Sequence, residues 1–519
     1  MGRARGTLAA MEVVHSLVPA RMDRLPWSGF HWRVVIALGV TWVLEGVEIG
    51  LASAIGGILS NPAHRDETLH LDAAMIGYAG AIYLLGEVVG ALYFGRKADL
   101  LGRRRLFIVT LALYLIANGL TALSFHPSFF LITRFFAGMG IGGEYAAIHS
   151  AIDELTPARY RGRVDIAIAG TYWGGAMLAA GVQYILLDTA IIPANWGWRG
   201  ALLLGPIIGF AIWPLRKYIP ESPRWQLAHG RAAEAEATVD AIEAQLRAKG
   251  IELAPVDPAH AIAIRPQAPV SAFVVGKLLA QKYLRRFVLG LTLMITQSFL
   301  YNAIFFTYVL ILEHIYGVPS GSTAYYFFPF AAGNLIGPLV LGRWFDTIGR
   351  RRMIALTYCS SALLLGLSAY LFQAGVLTAQ TQTILWCVIF FIASAAASSA
   401  YLTVSEIFPV EMRAQSISLI FAIAQGFGAL GAALFGSIVA SATHEEMIGG
   451  KVTLVLDDVG PLALGYAGAA LLMFVGGVVA WRLGVDAEQR SLEDIAAPLG
   501  ATETPHVTPV EAATGPHPP

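Results

Sequence analysis

Long apolar runs recur along the whole chain and are separated by short polar stretches. A membrane-spanning helix needs about 20 consecutive, mostly apolar residues, and twelve runs reach that length. The pattern therefore predicts an all-α membrane protein with twelve transmembrane helices. The predicted spans are 34–57, 74–95, 106–124, 128–149, 164–187, 199–219, 286–311, 323–341, 353–374, 383–404, 415–440 and 459–483.

The composition supports a membrane protein and excludes an ordinary soluble one. Of the 519 residues, 56% are hydrophobic and only 13% are charged, whereas a soluble domain carries about 25% charged residues. The 54 glycines suit the close packing of helices in a bilayer. Cys359 and Cys387 both lie inside apolar runs, and no zinc-type spacing occurs. We therefore expect buried thiols, no metal site and no cofactor.

Basic residues concentrate in alternate loops, which predicts the orientation. The loops at 316–322 and 375–382 hold no Lys or Arg, whereas the loops after the second, fourth and eighth spans are rich in basic residues. Because Lys and Arg accumulate on the cytoplasmic side, we expect both termini to be cytoplasmic. The membrane would be the plasma membrane, or the inner membrane of a bacterium. The basic residues of these loops are Arg96, Lys97, Arg103, Arg104, Arg105, Arg159, Arg161, Arg163, Arg343, Arg350, Arg351 and Arg352.

The chain is expected to divide into five segments. Residues 1–33 are broken by arginines and predict a cytoplasmic tail instead of a cleavable signal. Two six-helix bundles, 34–219 and 286–483, flank a cytoplasmic central loop, 220–285, with a short charged helix that ends at Gly250. The tail 484–519 is rich in Pro, Ala, Thr and Glu and is predicted to be largely disordered.

Two sequence patterns recur in the two halves. GRKADLLGRRR at 95–105 follows the second span, and GRWFDTIGRRR at 342–352 follows the eighth. ELTPARYR at 154–161 ends the fourth span, and EIFPVEMR at 406–413 ends the tenth. The need for cytoplasmic positive charge explains the arginines but not the matched Gly, Asp, Glu and Pro positions. Internal repetition of this kind predicts two pseudo-symmetric six-helix bundles.

The charges of these repeats suggest a latch on the cytoplasmic side. Acids at the helix ends can pair with arginines across a loop or on the neighbouring half, which would hold one conformation closed and break in the other. We therefore hypothesise a gate. Its residues would be Gly95, Asp99, Arg103, Glu154, Arg161, Asp346, Arg350, Glu406 and Arg413.

Together the motifs resemble the major facilitator superfamily from about residue 34 to 495. The repeated Gly-x3-Asp-x2-Gly-Arg loops are similar to the hallmark loop of that superfamily, and RFFAGMGIGGE at 134–144 is similar to its fourth-helix motif. PESPRW at 220–225 and SEIFP at 405–409 resemble segments of the sugar porters and their relatives. The resemblance implies a transporter fold that works by alternating access.

Within the superfamily the motifs point to two branches. Gln297 and Asn302 match two positions of a sugar-porter motif, but Thr296 and Leu300 replace others, and a Gly-Pro and Trp of the tenth helix are missing. EGVE at 45–48 is an acidic analogue of the Asp-Gly-x-Asp of aromatic acid:proton symporters. The resemblance therefore favours a monocarboxylate or aromatic acid over a sugar.

An acid in the middle of the first span is the candidate proton carrier. An ionised, unpaired carboxylate at the depth of Glu48 costs at least a few kcal/mol. The resemblance implies that Arg134 of the fourth span is its partner, although a static structural ion pair is the alternative. Glu45 shares a helix face with Glu48 and could carry the proton instead. Glu87 and Glu144 are two further acids within the spans.

The solute is expected to bind near the bilayer midplane between the halves. Polar and aromatic side chains of several spans could line such a site, although aromatic residues in membrane helices more often pack or anchor. The candidate substrate-binding residues are Gln297, Asn302, Tyr308, Asn334, Tyr172, Trp173, Tyr401 and Gln425.

We interpret the chain as a secondary active transporter of a small organic solute, an organic or aromatic acid or a sugar-like metabolite, that works by proton symport. A sugar uniporter, an antiporter and a sensor without flux are the alternatives within the fold. A membrane enzyme is disfavoured because no clustered metal or nucleophile motif occurs, and a channel because channels assemble from several subunits. The expected partners are the solute, protons and membrane lipid, without nucleic acid, and one chain is expected to work as a monomer.

Overall fold

The twelve predicted spans all correspond to long helices. The computed structural model of the chain describes residues 14–60, 67–69, 71, 73–189, 191–214, 219–264, 272–318, 322–441, 443–448, 451–456, 458–488 and 490–499. The long helices are α2 (Gly29–Ser60), α3 (Ala73–Leu101), α4 (Arg103–Ala122), α5 (Pro127–Leu155), α6 (Ala158–Leu186), α7 (Ala194–Ile212), α11 (Leu284–Leu310), α12 (Thr323–Thr347), α13 (Arg350–Gln373), α14 (Ala379–Glu406), α15 (Arg413–Ser441) and α16 (Gly460–Leu483).

Length and composition make most of these helices suitable for crossing a membrane. Within the described residues, nine of them qualify, namely α2, α3, α4 and α11 to α16. The other three belong to the N-terminal half, where α5 and α6 carry several buried charged side chains. The chain is a multi-pass membrane protein with two six-helix bundles, as predicted.

The packing of the two halves follows one pattern. In the N-terminal half α2 packs against α6, α3 against α5, and α4 against α7; in the C-terminal half the corresponding pairs are α11 with α15, α12 with α14, and α13 with α16. Between the halves, α6 packs against α12 and α3 against α15, and these two pairs are also equivalent. The internal sequence repeat is therefore a structural repeat, and the interface lies between equivalent helix pairs.

Glycines bring the acid-bearing helices together. A Cβ atom at Gly142 of α5 would collide with the backbone carbonyl of Glu87 on α3, and one at Gly46 of α2 would collide with the carbonyl of Tyr172 on α6. Close backbone approach of this kind is typical of small residues at membrane helix contacts. It draws α5 against α3 and α2 against α6, and α2, α3 and α5 carry the buried acids Glu45, Glu48, Glu87 and Glu144.

Short elements connect the long helices and flank them at both ends of the chain. In the central segment, α8 (Pro223–Ala228) precedes α9 (Ala232–Arg247), the predicted charged helix, and Gly250 has a left-handed φ of 74°. The strand β2 (Ile262–Ile264) pairs with β1 (Val14–Ser16) of the N-terminal segment. The remaining short elements are α1 (Val18–Asp23), a 3-10 turn (Pro258–His260), α10 (Ala272–Gln281), a π-helical turn (Ile311–Ile315) that extends α11, and a hairpin of β3 (Thr443–Ile448) and β4 (Lys451–Leu456).

The first part of the C-terminal tail differs from the prediction of disorder. Residues 490–499 include the helix α17 (Leu492–Ile495), whose N-terminus is capped by the Ser491 side chain. Leu492 is buried, and Arg286 donates a hydrogen bond to the carbonyl oxygen of Ile495 at 2.8 Å. Polar composition predicted disorder, but these few contacts hold the segment on the helix ends. Residues 500–519 lie outside the described residues.

Candidate functional site

The structure brings Glu48 and Arg134 together, as the resemblance implies. Arg134 Nη1 lies 2.6 Å from Glu48 Oε1, and the two residues are 6% and 4% exposed. The Arg134 guanidinium also lies over the ring of Tyr83, 4.3 Å from its centroid. A buried pair of this kind is costly to break by removing one partner, because the other charge stays buried alone.

Glu45 faces a group of aromatic side chains at the interface of the halves. The Tyr145 hydroxyl donates a hydrogen bond to Glu45 Oε1. The ring of Tyr145 stacks on Phe421, with centroids 4.3 Å apart, and on Tyr401, at 5.8 Å. Trp42 lies edge-on to Tyr145 at 5.0 Å and to Tyr401 at 5.9 Å. We call Trp42, Tyr145, Tyr401 and Phe421 the aromatic group; it combines residues of both halves.

A hydrogen-bonded series of polar side chains crosses the interface nearby. Gln425 Nε2 donates to Glu87 Oε2, and Gln425 Oε1 accepts a hydrogen bond from Ser298 Oγ at 2.5 Å. Asn302 Nδ2 lies 3.2 Å from Ser298 Oγ and 2.8 Å from the Ser298 carbonyl oxygen. Two predicted substrate-binding residues thus connect to a buried acid of the other half. The sequence identified Glu87 as an intramembrane acid but gave no sign of this link.

A second interface cluster contains three more of the predicted substrate-binding residues. Trp173 of α6 lies 5.6 Å from the ring of Tyr301 on α11 and 5.2 Å from Tyr172. The Tyr301 hydroxyl donates to Asn334 Oδ1 at 3.1 Å. Tyr301 was not singled out from the sequence, although it immediately precedes Asn302. The contact of Trp173 with Tyr301 joins the two halves, whereas the hydrogen bond from Tyr301 to Asn334 lies within the C-terminal half.

The last two candidates in this set differ in their surroundings. Gln297 is partly exposed, and its Oε1 atom is buried without a hydrogen-bond partner among the described residues. Tyr308 is fully buried, and its hydroxyl donates to the Tyr326 carbonyl at 2.9 Å. Its ring packs against Phe330 and Trp386 of its own half. The structure therefore places Gln297 at a partly exposed position with one buried polar atom, and Tyr308 in the core of the C-terminal half.

Several of the predicted gate residues meet across the halves at one end of the helices. Arg161 of α6 lies 3.7 Å from Glu406 of α14, and Arg413 of α15 lies 3.6 Å from Glu154 of α5. Glu406 also pairs with Arg350, whose second partner is Asp346 at 3.9 Å. We call Glu154, Arg161, Arg350, Glu406 and Arg413 the gate cluster. Its members are at most 2% exposed.

Close backbone contact accompanies the gate cluster. A Cβ atom at Gly95 would collide with the side chain of Ser418 on α15, so that α3 and α15 touch at this end. The side chains of Asp99 and Arg103, both predicted gate residues, lie outside the described residues. Of the other predicted gate residues, Gly95, Glu154, Arg161, Glu406 and Arg413 make contacts between the halves. The ion pairs of Asp346 and Arg350 lie within the C-terminal half.

Sequence reasoning missed a further layer around the gate cluster. Arg224 of the central segment lies 2.7 Å from Asp23 of the N-terminal segment and 3.0 Å from Glu493 of the tail. Asp23 also lies 3.6 Å from Arg161. Burial alone would raise the pKa of the Glu493 carboxyl, but the charges of Arg224, Arg161 and Arg413 and a backbone hydrogen bond together hold that pKa below its usual range. Asp23 belongs to the predicted N-terminal tail and Glu493 to the tail that was predicted to be largely disordered. The PESPRW motif around Arg224 was a sequence signal for this layer.

The arrangement suits conformational switching better than bond chemistry. Buried acids beside one arginine can exchange a proton, and ion pairs between two halves can break and reform. Among the described residues no group of His, Cys, Asp and Glu could hold a metal ion.

The family follows from comparison with known proteins. Residues 33–495 match the family described as "Sugar (and other) transporter". The chain belongs to this family. Its fold is that of the major facilitator superfamily: the transporter aligns with the proton:xylose symporter XylE bound to 6-bromo-6-deoxy-D-glucose, with a TM-score of 0.66 and 18% identity over 89% of this chain and 98% of the other. A partially occluded inward-open XylE from E. coli aligns with a TM-score of 0.59, over 88% and 98% of the two chains, at 18% identity.

Several metabolite transporters are similar in sequence. The niacin transporter NiaP of Acinetobacter baylyi is 30% identical over 225 residues, 43% of this chain and 48% of the relative. The putative niacin/nicotinamide transporter NiaP of Bacillus subtilis is 33% identical over 188 residues, 36% and 44% of the two chains. The metabolite transport protein YgcS of Escherichia coli is 33% identical over 224 residues, 43% and 47%. The transporter therefore spans just under half the length of each of these relatives.

Proposed function

We propose that this transporter carries an aromatic or heteroaromatic monocarboxylate together with a proton. The observation that carries the proposal is the buried Glu48–Arg134 pair, which lies in the half-bundle that also supplies Trp42 and Tyr145 of the aromatic group. A flat ring fits between aromatic side chains in offset or edge-on contact. The names of the two niacin-transporter relatives, which describe a pyridine carboxylate as cargo, support the same class of solute.

The proton and the solute would act on the same arginine. When Glu48 takes up a proton, its charge-assisted bond to Arg134 weakens and the guanidinium is free to attract a carboxylate. The carboxylate of the solute would then replace the carboxylate of Glu48 as the counter-charge of Arg134. Without the proton, two carboxylates would compete for one guanidinium in a medium of low polarity, which is unfavourable.

The gate cluster would couple this site to movement. In alternating access the two bundles rock about a central site, which opens one side as the other closes. The present arrangement, with Arg161–Glu406 and Arg413–Glu154 joined, would be the state closed to the cytoplasm. We place the termini in the cytoplasm of a plasma or bacterial inner membrane, and propose that one chain is the working unit.

A flux assay with a pH-sensitive dye tests the proposal. Purified protein in liposomes would receive nicotinate, benzoate or xylose, one at a time. We expect proton uptake with nicotinate or benzoate in the wild type and none in Glu48→Gln, while Glu48→Asp, which keeps the carboxyl, retains part of it. Solute uptake without proton movement would refute symport and favour a uniporter. Proton uptake with xylose alone would refute the aromatic acid and favour a sugar.

A further inference from the structure

One buried hydrogen bond joins an acid of the N-terminal half to an amide of the C-terminal half. Glu87 of α3 is 1% exposed, and its Oε2 atom accepts a hydrogen bond from Gln425 of α15. Gln425 is 8% exposed and accepts from Ser298 of α11, which Asn302 contacts in turn. We call Glu87, Gln425, Ser298 and Asn302 the polar series.

The donors of the polar series all point toward Glu87. Asn302 donates to Ser298, Ser298 to Gln425, and Gln425 to Glu87. Glu87 is thus the final acceptor, and an ionised carboxylate is the strongest acceptor that this position could hold. A proton on Glu87 removes the charge at the end of the series and weakens the bond that crosses the interface.

Other charged groups surround Glu87 within the N-terminal half. Glu45 and Glu48 lie on α2, and Arg134 and Glu144 lie on α5, which packs closely against α3. Arg134 pairs with Glu48, and Glu144 accepts a hydrogen bond from Thr110 at 3.4 Å. Gln425, in the other half, is the hydrogen-bond partner of Glu87. A change in the protonation of Glu87 therefore acts across the interface at this point.

The helices joined by this bond also close the cytoplasmic side. Gly95 of α3 is in backbone-to-side-chain contact with Ser418 of α15, two helical turns from Glu87 and Gln425 on the same helices. Opening to the cytoplasm has to separate α3 from α15. The Glu87–Gln425 bond therefore resists that opening.

We propose that the Glu87–Gln425 hydrogen bond is the coupling contact of the transporter, at which a proton and the solute together release the cytoplasmic side. The proposal rests on the proposed function and adds a positioning residue to it. A proton on Glu87 weakens the bond from one side. A polar group of the solute that forms a hydrogen bond with the amide of Gln425 or Asn302 weakens the Glu87–Gln425 bond from the other side.

The proposal predicts how the cytoplasmic opening depends on pH without any solute. Spin labels at positions 101 and 348, exposed sites at the cytoplasmic ends of α3 and α12, report the separation of the halves. Cys359 and Cys387 would first be replaced by serine. In the wild type in nanodiscs we expect the long-distance population to grow as the pH falls from about 8 to about 5, as buried acids take up protons.

Four variants test the role of the bond. Glu87→Gln cannot ionise, so we expect a long-distance population that is about tenfold higher near neutral pH and does not respond to pH. Gln425→Leu removes the donor and should give the same result. The exchange Glu87→Gln with Gln425→Glu again faces a carboxyl with an amide and should restore the response. Gln382→Leu is the matched control, because Gln382 is buried but bonds to Ser368 within its own half.

The outcomes separate this proposal from the proposed function. A wild-type response to pH that persists in Glu87→Gln, or a wild type that ignores pH, overturns the coupling contact. If the exchange variant is as unresponsive as Glu87→Gln, the pairing across the interface is not what matters, and the proposal is again overturned. Failure of nicotinate or benzoate to move protons refutes the proposed function instead, since the spin-label distances are measured without solute.

Discussion

At the scale of single residues, the gate cluster shows how burial changes the meaning of an ion pair. Exposed pairs contribute little to stability, but Glu154 is 0% exposed and Arg413 is 1% exposed. Each is the counter-charge of the other across the two halves. The pair therefore stabilises only the conformation in which the halves meet. Its free energy shifts the equilibrium between the open and closed conformations toward the closed one.

The gate pair gives the first prediction. Arg413→Ala removes the cation that the buried Glu154 carboxylate faces across the halves, and breaking a buried pair in this way costs about 3–5 kcal/mol in the closed state. We expect the cytoplasm-open conformation to dominate, with a longer distance between spin labels at positions 101 and 348 and slower transport. The exchange Glu154→Arg with Arg413→Glu should recover closure in part. An unchanged distance in Arg413→Ala would show that the pair does not hold the gate.

At the scale of helices, glycine decides how near the acid-bearing helices can come. Gly142 faces the carbonyl of Glu87 with no room for a Cβ atom, whereas Gly119 of α4 has nothing within 4 Å of that position. The two glycines look alike in the sequence. The packing of α5 on α3 requires glycine at position 142, whereas position 119 has room for a larger side chain.

These glycines form a matched pair for a stability test. Gly142→Ala should lower the free energy of unfolding by about 1–3 kcal/mol, because α5 has to move away from α3. Gly119→Ala should raise it by up to about 1 kcal/mol, because alanine favours the helix. Thermal unfolding in detergent measures both. Equal effects of the two substitutions would contradict the close contact of α3 and α5.

The N-terminal segment is the other element with a specific anchor. Arg21 lies 2.6 Å from Glu236, 2.6 Å from Asp240 and 2.9 Å from Glu243. Arg24 lies 2.6 Å from Glu243. Burial alone would raise the pKa of Glu243, but the hydrogen bonds from Arg21 and Arg24 outweigh it and hold that pKa below the ordinary range.

The lowered pKa of Glu243 predicts an acid-sensitive anchor. A carboxyl with a depressed pKa stabilises the docked segment above its unfolded value, about 4.3 for glutamate, and loses that contribution as the pH falls through the lower docked value. We expect a spin label at His15 to become mobile below about pH 4. Glu243→Gln should make it mobile at every pH, whereas Glu234→Gln, at an exposed pair with Arg231, should not. A label in Glu243→Gln that stays as immobile as in the wild type would contradict the anchor.

At the scale of the whole molecule, the sequence predicted the features that come from internal repetition or from the need for apolar membrane spans. Twelve apolar runs became twelve long helices, and the paired motifs became equivalent helix contacts. The Glu48–Arg134 contact was expected through family resemblance, since nothing local connects two residues on different helices. The bond between Glu87 and Gln425 joins residues 338 positions apart, and Asp23 gains its role only from Arg161 and Arg224. Such contacts arise from tertiary packing, which leaves no periodic signal in the chain.

The contact of α3 with α15 gives the last prediction, which concerns the two halves as rigid bodies. A methyl group at position 95 would occupy the space of the Ser418 side chain, so Gly95→Ala should keep the cytoplasmic side from closing fully and should slow transport. Ser418→Gly removes the obstacle and should restore closure when combined with Gly95→Ala. The distance between labels at positions 101 and 348, together with nicotinate uptake, measures both effects. If the double variant stays as slow and as open as Gly95→Ala, the alanine acts within α3 and not through the contact with Ser418, which contradicts the prediction. If it recovers, the close contact of α3 with α15 limits how fully the two bundles close, because packed interfaces switch between discrete arrangements instead of yielding gradually.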